Sequence, residues 1–330
     1  MLQVYYTTLK EKSISPLTDA SKKTVLPSKK SNPFPFSSKA GLSTLLSLFS
    51  FLAVSAQLEI INEFPYDPDN LIETVFVGEG IDLQSVNYEG DNRSAAFFKG
   101  GLPYIGIDRG IVMTTGFAID EDNPNESISQ IGDNQSGNNA NSPLDEDPDI
   151  RAIVGPTAIV HDIISYTITF RPISDSVNFR YVFASEEYPE FVCSRFNDIF
   201  GFFISGPGIN GPYTNGAINI ARVPGTDLPV RINTINPGMP GTSAGAGMCD
   251  EDDASLDFSN FFVDNNNSNE PPIFDGFTQV FDASVGLQAC QEYTIKLVIA
   301  DIGDTNYDSG VFLEARSFSG EGTNLEIVNL

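Results

Sequence analysis

Two groups of carboxylates are the side chains best placed to do chemistry. Glu186, Glu187 and Glu190 fall together with Asp198 a few residues on, and Asp301, Asp304 and Asp308 share a later stretch. Hard oxygen donors of this kind suit Ca²⁺, which takes six to eight of them. The spacing matches no EF-hand loop. Calcium at Asp301, Asp304, Asp308, Glu186, Glu187 and Asp198 is therefore expected from donor chemistry and not from a motif. The plainer reading is solvated acidic loops in which Asp serves its own backbone turns. A glycoside hydrolase pair is the catalytic alternative. Adjacent strand residues point to opposite faces, so Glu186 and Glu187 cannot easily flank one bond, and Glu190 or Asp198 would be needed as partner.

Other chemistry is scarce. His161 is the one histidine and tryptophan is absent, which removes His-rich zinc sites and weakens any histidine-based triad. Sugar binding needs only polar loops and an aromatic surface, and Tyr188, Tyr213 and Tyr307, each in or near a turn, are the candidate platforms. The three cysteines, Cys193, Cys249 and Cys290, would leave one disulfide and one thiol in an oxidising compartment. Three pairings exist. Cys193–Cys249 is the expected one, because Cys249 closes the Gly-rich run 237–247, where a cross-link removes the most chain freedom.

The elements that must position these residues read as strands. Tyr166, Ile168 and Phe170 alternate with Ser165, Thr167 and Thr169, and Val177, Phe179, Tyr181 and Phe183 alternate with Asn178, Arg180, Val182 and Ala184. Residues 294–299 and 311–315 repeat the theme. Period two in β-branched and aromatic residues marks half-buried strands. No stretch keeps a helical period. The expected fold is all-β, an antiparallel β-sandwich of jelly-roll or lectin-like kind. Residues 123–149, with few apolar side chains, read as a surface excursion.

Charge divides the chain. The net charge is −26, yet residues 1–56 carry seven lysines against Glu11 and Asp19, leaving 11 basic and 42 acidic side chains beyond them, a net of −31. Such acidity excludes nucleic acid, whose binding needs Lys and Arg against phosphates, and a polybasic membrane patch. Lys29, Lys30 and Lys39 precede the apolar run Gly41–Val54 and a Val54-Ser55-Ala56 junction. That order is a secretory signal peptide. The expected organisation is a leader over 1–56 with its apolar region at 41–54 and cleavage near 56/57. One domain over 57–320 follows, then a short tail, or the start of a missing C-terminal region, over 321–330. The run is too short to remain as a membrane span.

Phe179-Arg180-Tyr181-Val182-Phe183-Ala184-Ser185-Glu186-Glu187-Tyr188-Pro189-Glu190-Phe191 leads into Phe196-Asn197-Asp198-Ile199-Phe200-Gly201. With Asp301-Ile302-Gly303-Asp304, Tyr307-Asp308-Ser309-Gly310 and the upstream Gly106-Ile107-Asp108-Arg109-Gly110, this resembles the choice-of-anchor L domain of bacterial secreted and surface proteins, many from Bacteroidota. The resemblance implies an exported protein of the cell surface or extracellular matrix with no catalytic role. The expectation is thus a secreted or surface-held adhesion module, calcium-stabilised, whose partner is an extracellular glycan or another matrix component. The alternatives are a carboxylate-pair glycoside hydrolase and a purely structural surface protein. Oligomeric state is left open.

Overall fold

The computed structural model describes residues 57–320 apart from 123, 125–126, 131–143, 145, 252–253 and 267–268. The expected leader and tail lie outside the described residues, as does most of the expected excursion.

Among the described residues, thirteen strands build two antiparallel sheets. They are β1 (Glu59–Ile61), β2 (Ile81–Glu89), β3 (Ala95–Lys99), β4 (Arg109–Thr114), β5 (Val160–Pro172), β6 (Ser176–Ser185), β7 (Ile199–Ser205), β8 (Ile218–Asn219), β9 (Phe262–Asp264), β10 (Gly276–Thr278), β11 (Phe281–Gly286), β12 (Tyr293–Ile302) and β13 (Ser309–Glu314). The larger sheet runs β1-β3-β4-β13-β6-β10-β9, with β11 continuing alongside β6, and the smaller runs β2-β5-β12-β7-β8. The all-β sandwich expected from alternation is the fold observed.

Facing side chains of the two sheets form the central core. Phe179, Tyr181 and Phe183 from β6 meet Phe200, Phe202 and Ile204 from β7. Rings lock at right angles, Phe179 on Phe202 at 4.2 Å and Phe200 on Phe202 at 4.1 Å between centroids. Edge-to-face pairs of this kind are worth about 0.5–1.5 kcal/mol beyond the area they bury. The central strands differ from the half-buried expectation in being covered on both faces. Val182 and Ala184 pack outward against Phe98, Phe274, Phe277 and Phe312. Ile199, Phe203, Val298 and Ala300 pack outward beneath Ile150 of a short helix, Pro148–Val154. The continuous apolar run of β7 is the local sign of that double burial.

The helix also explains one half-buried cation. Asp147 caps it, its side chain accepting from the backbone N–H groups of Asp149 and Ile150, as an N-cap does. Lys296 projects from β12 toward the same turn, with Nζ 2.5 Å from Asp147 Oδ2 and 2.6 Å from Asp149 Oδ2. Burial alone would raise the Asp149 carboxyl, but Lys296 and Thr214 hold it below its usual range.

Cys193 and Cys249 form the disulfide, 56 residues apart in sequence and 4.9 Å between Cα atoms, while Cys290 is free and exposed. The expected pairing is the one found. Among the described residues no helix is long and apolar enough to cross a membrane.

Two stability measurements follow from these contacts. Reducing the disulfide, or replacing both cysteines by serine, is expected to cost about 2–4 kcal/mol in denaturant unfolding, mainly by freeing the unfolded chain. Lys296→Met strands two carboxylates and is expected to cost about 3–5 kcal/mol at neutral pH. Because the folded Asp149 is more acidic than the unfolded one, its contribution is present above the unfolded value of about 3.9 and lost as pH falls through the lower folded value. The Lys296→Met variant should lack that acid limb.

Candidate functional site

The two carboxylate groups of the sequence are one group in space. β6 and β7 belong to different sheets, so residues 186–198 cross from one to the other. β12 and β13 also belong to different sheets, so residues 303–308 make the return crossing. Ser185 pairs with Ser309 on the larger sheet and Ile199 with Ala300 on the smaller. Register therefore lays the two crossings side by side at one end of the sandwich.

Backbone groups tie the crossings together. The Glu186 N–H donates to the Asp308 carbonyl at 3.0 Å, and the Asp308 N–H donates back to Glu186 Oε2 at 3.2 Å. Asp198 bridges the sheets, its Oδ1 accepting from the Ile302 N–H at 2.9 Å and its Oδ2 from the Ser309 hydroxyl at 2.7 Å. Gly116 lies beneath Asp308, where an added methyl would overlap the carboxylate. Asp304 stays nearer solvent and accepts from the Asn306 N–H at 3.0 Å, the local turn role that an Asp commonly plays.

The remaining carboxylates are left without such partners. Asp301 is 1% exposed and Glu187 2%, yet neither oxygen of Asp301 and not Oε2 of Glu187 has a hydrogen-bond partner. The Thr115 hydroxyl lies close to Asp301, but its own bonds go to Ser309. No Lys or Arg among the described residues pairs with Glu187, Asp198 or Asp301. Asp162, near the start of β5 with φ of 44°, adds a further orphaned oxygen. It faces Asp301 and Asp198 and was not among the sequence candidates. Nothing in Val160-His161-Asp162 marks it locally. His161 is half-buried and opposite Asp301 across the β5–β12 pair.

Electrostatics follow from burial and like charge. Burial, with Asp198 and Asp304 adding to it, pushes Glu187 up to about 10. Burial raises Asp198 to about 7 against the pull of Ile302, Ser309 and a proton shared with Asp301, and raises Asp162 to about 7 with Asp198 nearby. Asp301, surrounded by Asp198, Asp308 and Asp162, is raised well above the usual carboxylate range, burial being the largest cause. A buried ionised carboxylate without compensation costs several kcal/mol, so this nest calls for protons or a cation. Of the six residues expected at calcium, Asp198 neighbours both Glu187 and Asp301, and Asp308 neighbours Asp301; Glu186 accepts from a backbone N–H and Asp304 from its own turn. Among the described residues no three acidic, histidine or cysteine side chains form a ready-made metal cage.

The three tyrosines do not form one platform. Tyr188 is fully buried, its hydroxyl donating to the Ile235 carbonyl and its ring 4.9 Å from that of Phe262. It is a core residue, because the chain after β6 turns inward before crossing. Tyr213 packs on Phe203 and Tyr307 on Phe191, both half-exposed and in separate aromatic pairs. Beside the nest lies a cleft of about 270 Å³ lined by Ser194, Arg195, Asn197, Arg231, Ile302 and Gly303 among others.

The family model of the Choice-of-anchor L domain matches residues 60–319. No curated protein and no solved structure matches the chain.

Asp198→Ala tests the bridge between crossings. It leaves the Ile302 N–H and Ser309 hydroxyl without their acceptor and is expected to cost about 1–3 kcal/mol for each. Urea unfolding monitored by tyrosine fluorescence measures the loss.

Proposed function

The chain belongs to the choice-of-anchor L family, and on that premise we propose that it is a non-catalytic binding module of the cell surface or extracellular matrix. Its family places it among surface-associated proteins. The ligand we assign to it is an extracellular glycan or another matrix component, held at the loop end of the sandwich where the cleft around Ser194, Arg195 and Asn197 opens.

One observation carries the choice of binding over hydrolysis. A glycosidase needs two carboxyl groups flanking a cleft that admits a sugar ring. Here Glu187, Asp198 and Asp301 are all nearly inaccessible, and both oxygens of Asp198 are engaged by Ile302 and Ser309. These groups support loops rather than meet a substrate. The two half-exposed tyrosines outside the cleft give sugar faces a place to stack, without the stronger platform of tryptophan.

The test uses the full chain on an array of extracellular glycans and on immobilised matrix polysaccharides, with a panel of chromogenic glycosides in parallel. Retention by at least one glycan class without release of chromophore is the expected result. Turnover that disappears in Glu187→Gln would overturn the reading in favour of a hydrolase. Absence of retention on every surface would favour a purely structural surface protein.

A further inference from the structure

The acidic nest at the paired crossings is an unresolved charge problem inside an otherwise well-satisfied fold. Elsewhere buried charge is answered. Lys296 meets Asp147 and Asp149, and Arg180, further out, meets Glu314 at 2.7 Å. At the nest, Asp301 has two buried oxygens with no hydrogen-bond partner, and Glu187 and Asp162 have one each. All of these residues neighbour Asp198. Since native folds rarely leave buried polar atoms unpaired, orphaned acceptors of one sign gathered at one place ask for a donor or a cation.

We propose that the nest is a binding site for a single calcium ion, held chiefly by Asp301 and Glu187. Asp162 and Asp198 lie close enough to contribute charge, and Glu186 clamps the backbone that carries the site. The unpartnered donors are all carboxylate oxygens, which favours a hard cation over zinc or copper. No ready-made cage of three such side chains exists among the described residues. Calcium completes a flexible shell of six to eight oxygens with backbone carbonyls and water, whereas magnesium demands a near-ideal octahedron. The ion would join the segment after β6 to the segment after β12, and so couple the two sheets at the end where the cleft opens. This assignment is independent of the glycan reading, because the proposed ligands Asp301 and Glu187 are not among the residues that line the cleft.

The experiment is a titration of the full chain, stripped with chelator and exchanged into metal-free buffer, with calcium chloride in a calorimeter. Thermal unfolding is followed with and without calcium. Wild type is expected to bind one equivalent and to melt at higher temperature with calcium, with magnesium giving a smaller shift. Asp301→Asn and Glu187→Gln each remove an oxygen ligand that can carry charge when a cation binds, while keeping the shape of the side chain. Both are expected to melt no lower than wild type without calcium, yet to bind it about 10–100-fold more weakly. Glu190→Gln, on the exposed rim, should respond as wild type does. No heat and no melting shift in wild type would overturn the site, and would leave shared protons as the neutralising agent. A calcium response that survives in the Asp301→Asn, Glu187→Gln double variant would overturn it equally. The wild-type titration decides the matter even where a variant fails to fold.

Discussion

The register between β6 and β13 on one sheet, and between β7 and β12 on the other, is the constraint on which the rest of the molecule depends. Ser185 opposite Ser309 and Ile199 opposite Ala300 force both crossings to leave from the same end. A slip of one residue in either ladder would turn each inward aromatic to the other face, and would part the carboxylates as well. The core and the candidate site are thus set by the same two ladders. The core supplies the energy for holding the register, through Phe179, Tyr181, Phe200 and Phe202. The site is where that energy is spent on placing like charges together.

The acidity of the chain is managed in two different ways. Most carboxylates are exposed, where water and salt screen them, and the surface pairs of Arg with Asp or Glu contribute little. Two groups are drawn inside. One, Asp147 with Asp149, is neutralised within the chain by Lys296. In the other, no Lys or Arg among the described residues pairs with Asp301, Asp198 or Glu187, and His161 lies across the ladder from Asp301. The contrast separates a structural ion pair from a group of carboxyls raised by their own burial.

Much of the architecture is legible locally. The alternation at Tyr166, Ile168 and Phe170 gives a strand and its inward face, and the Gly-rich run beside Cys249 points to the right disulfide partner. What periodicity cannot supply is the identity of the neighbour. Nothing near Asp198 says that it will sit beside Asp301, because their proximity follows from pairings more than a hundred residues apart. Tyr188 looks like a turn residue from its Pro189 neighbour, yet the turn folds inward and buries the ring. Asp162 and Lys296 carry no local mark at all. Their roles exist only once β5 and β12 are side by side and the helix at Pro148–Val154 covers them.

The position of β13 has a consequence for how the chain matures. It is the last in sequence of the strands among the described residues but lies inside the larger sheet, between β4 and β6, and its Ser309 carbonyl accepts from Thr114, 195 residues earlier. A chain made from its N-terminus therefore cannot close this sheet until residues 309–314 have left the ribosome. Until then β4 and β6 present open edges, and the non-local pairings that complete the fold form slowly. The order of strands delays commitment to the folded state, which is the condition a polypeptide needs if it is to be threaded through a narrow translocation pore before it folds.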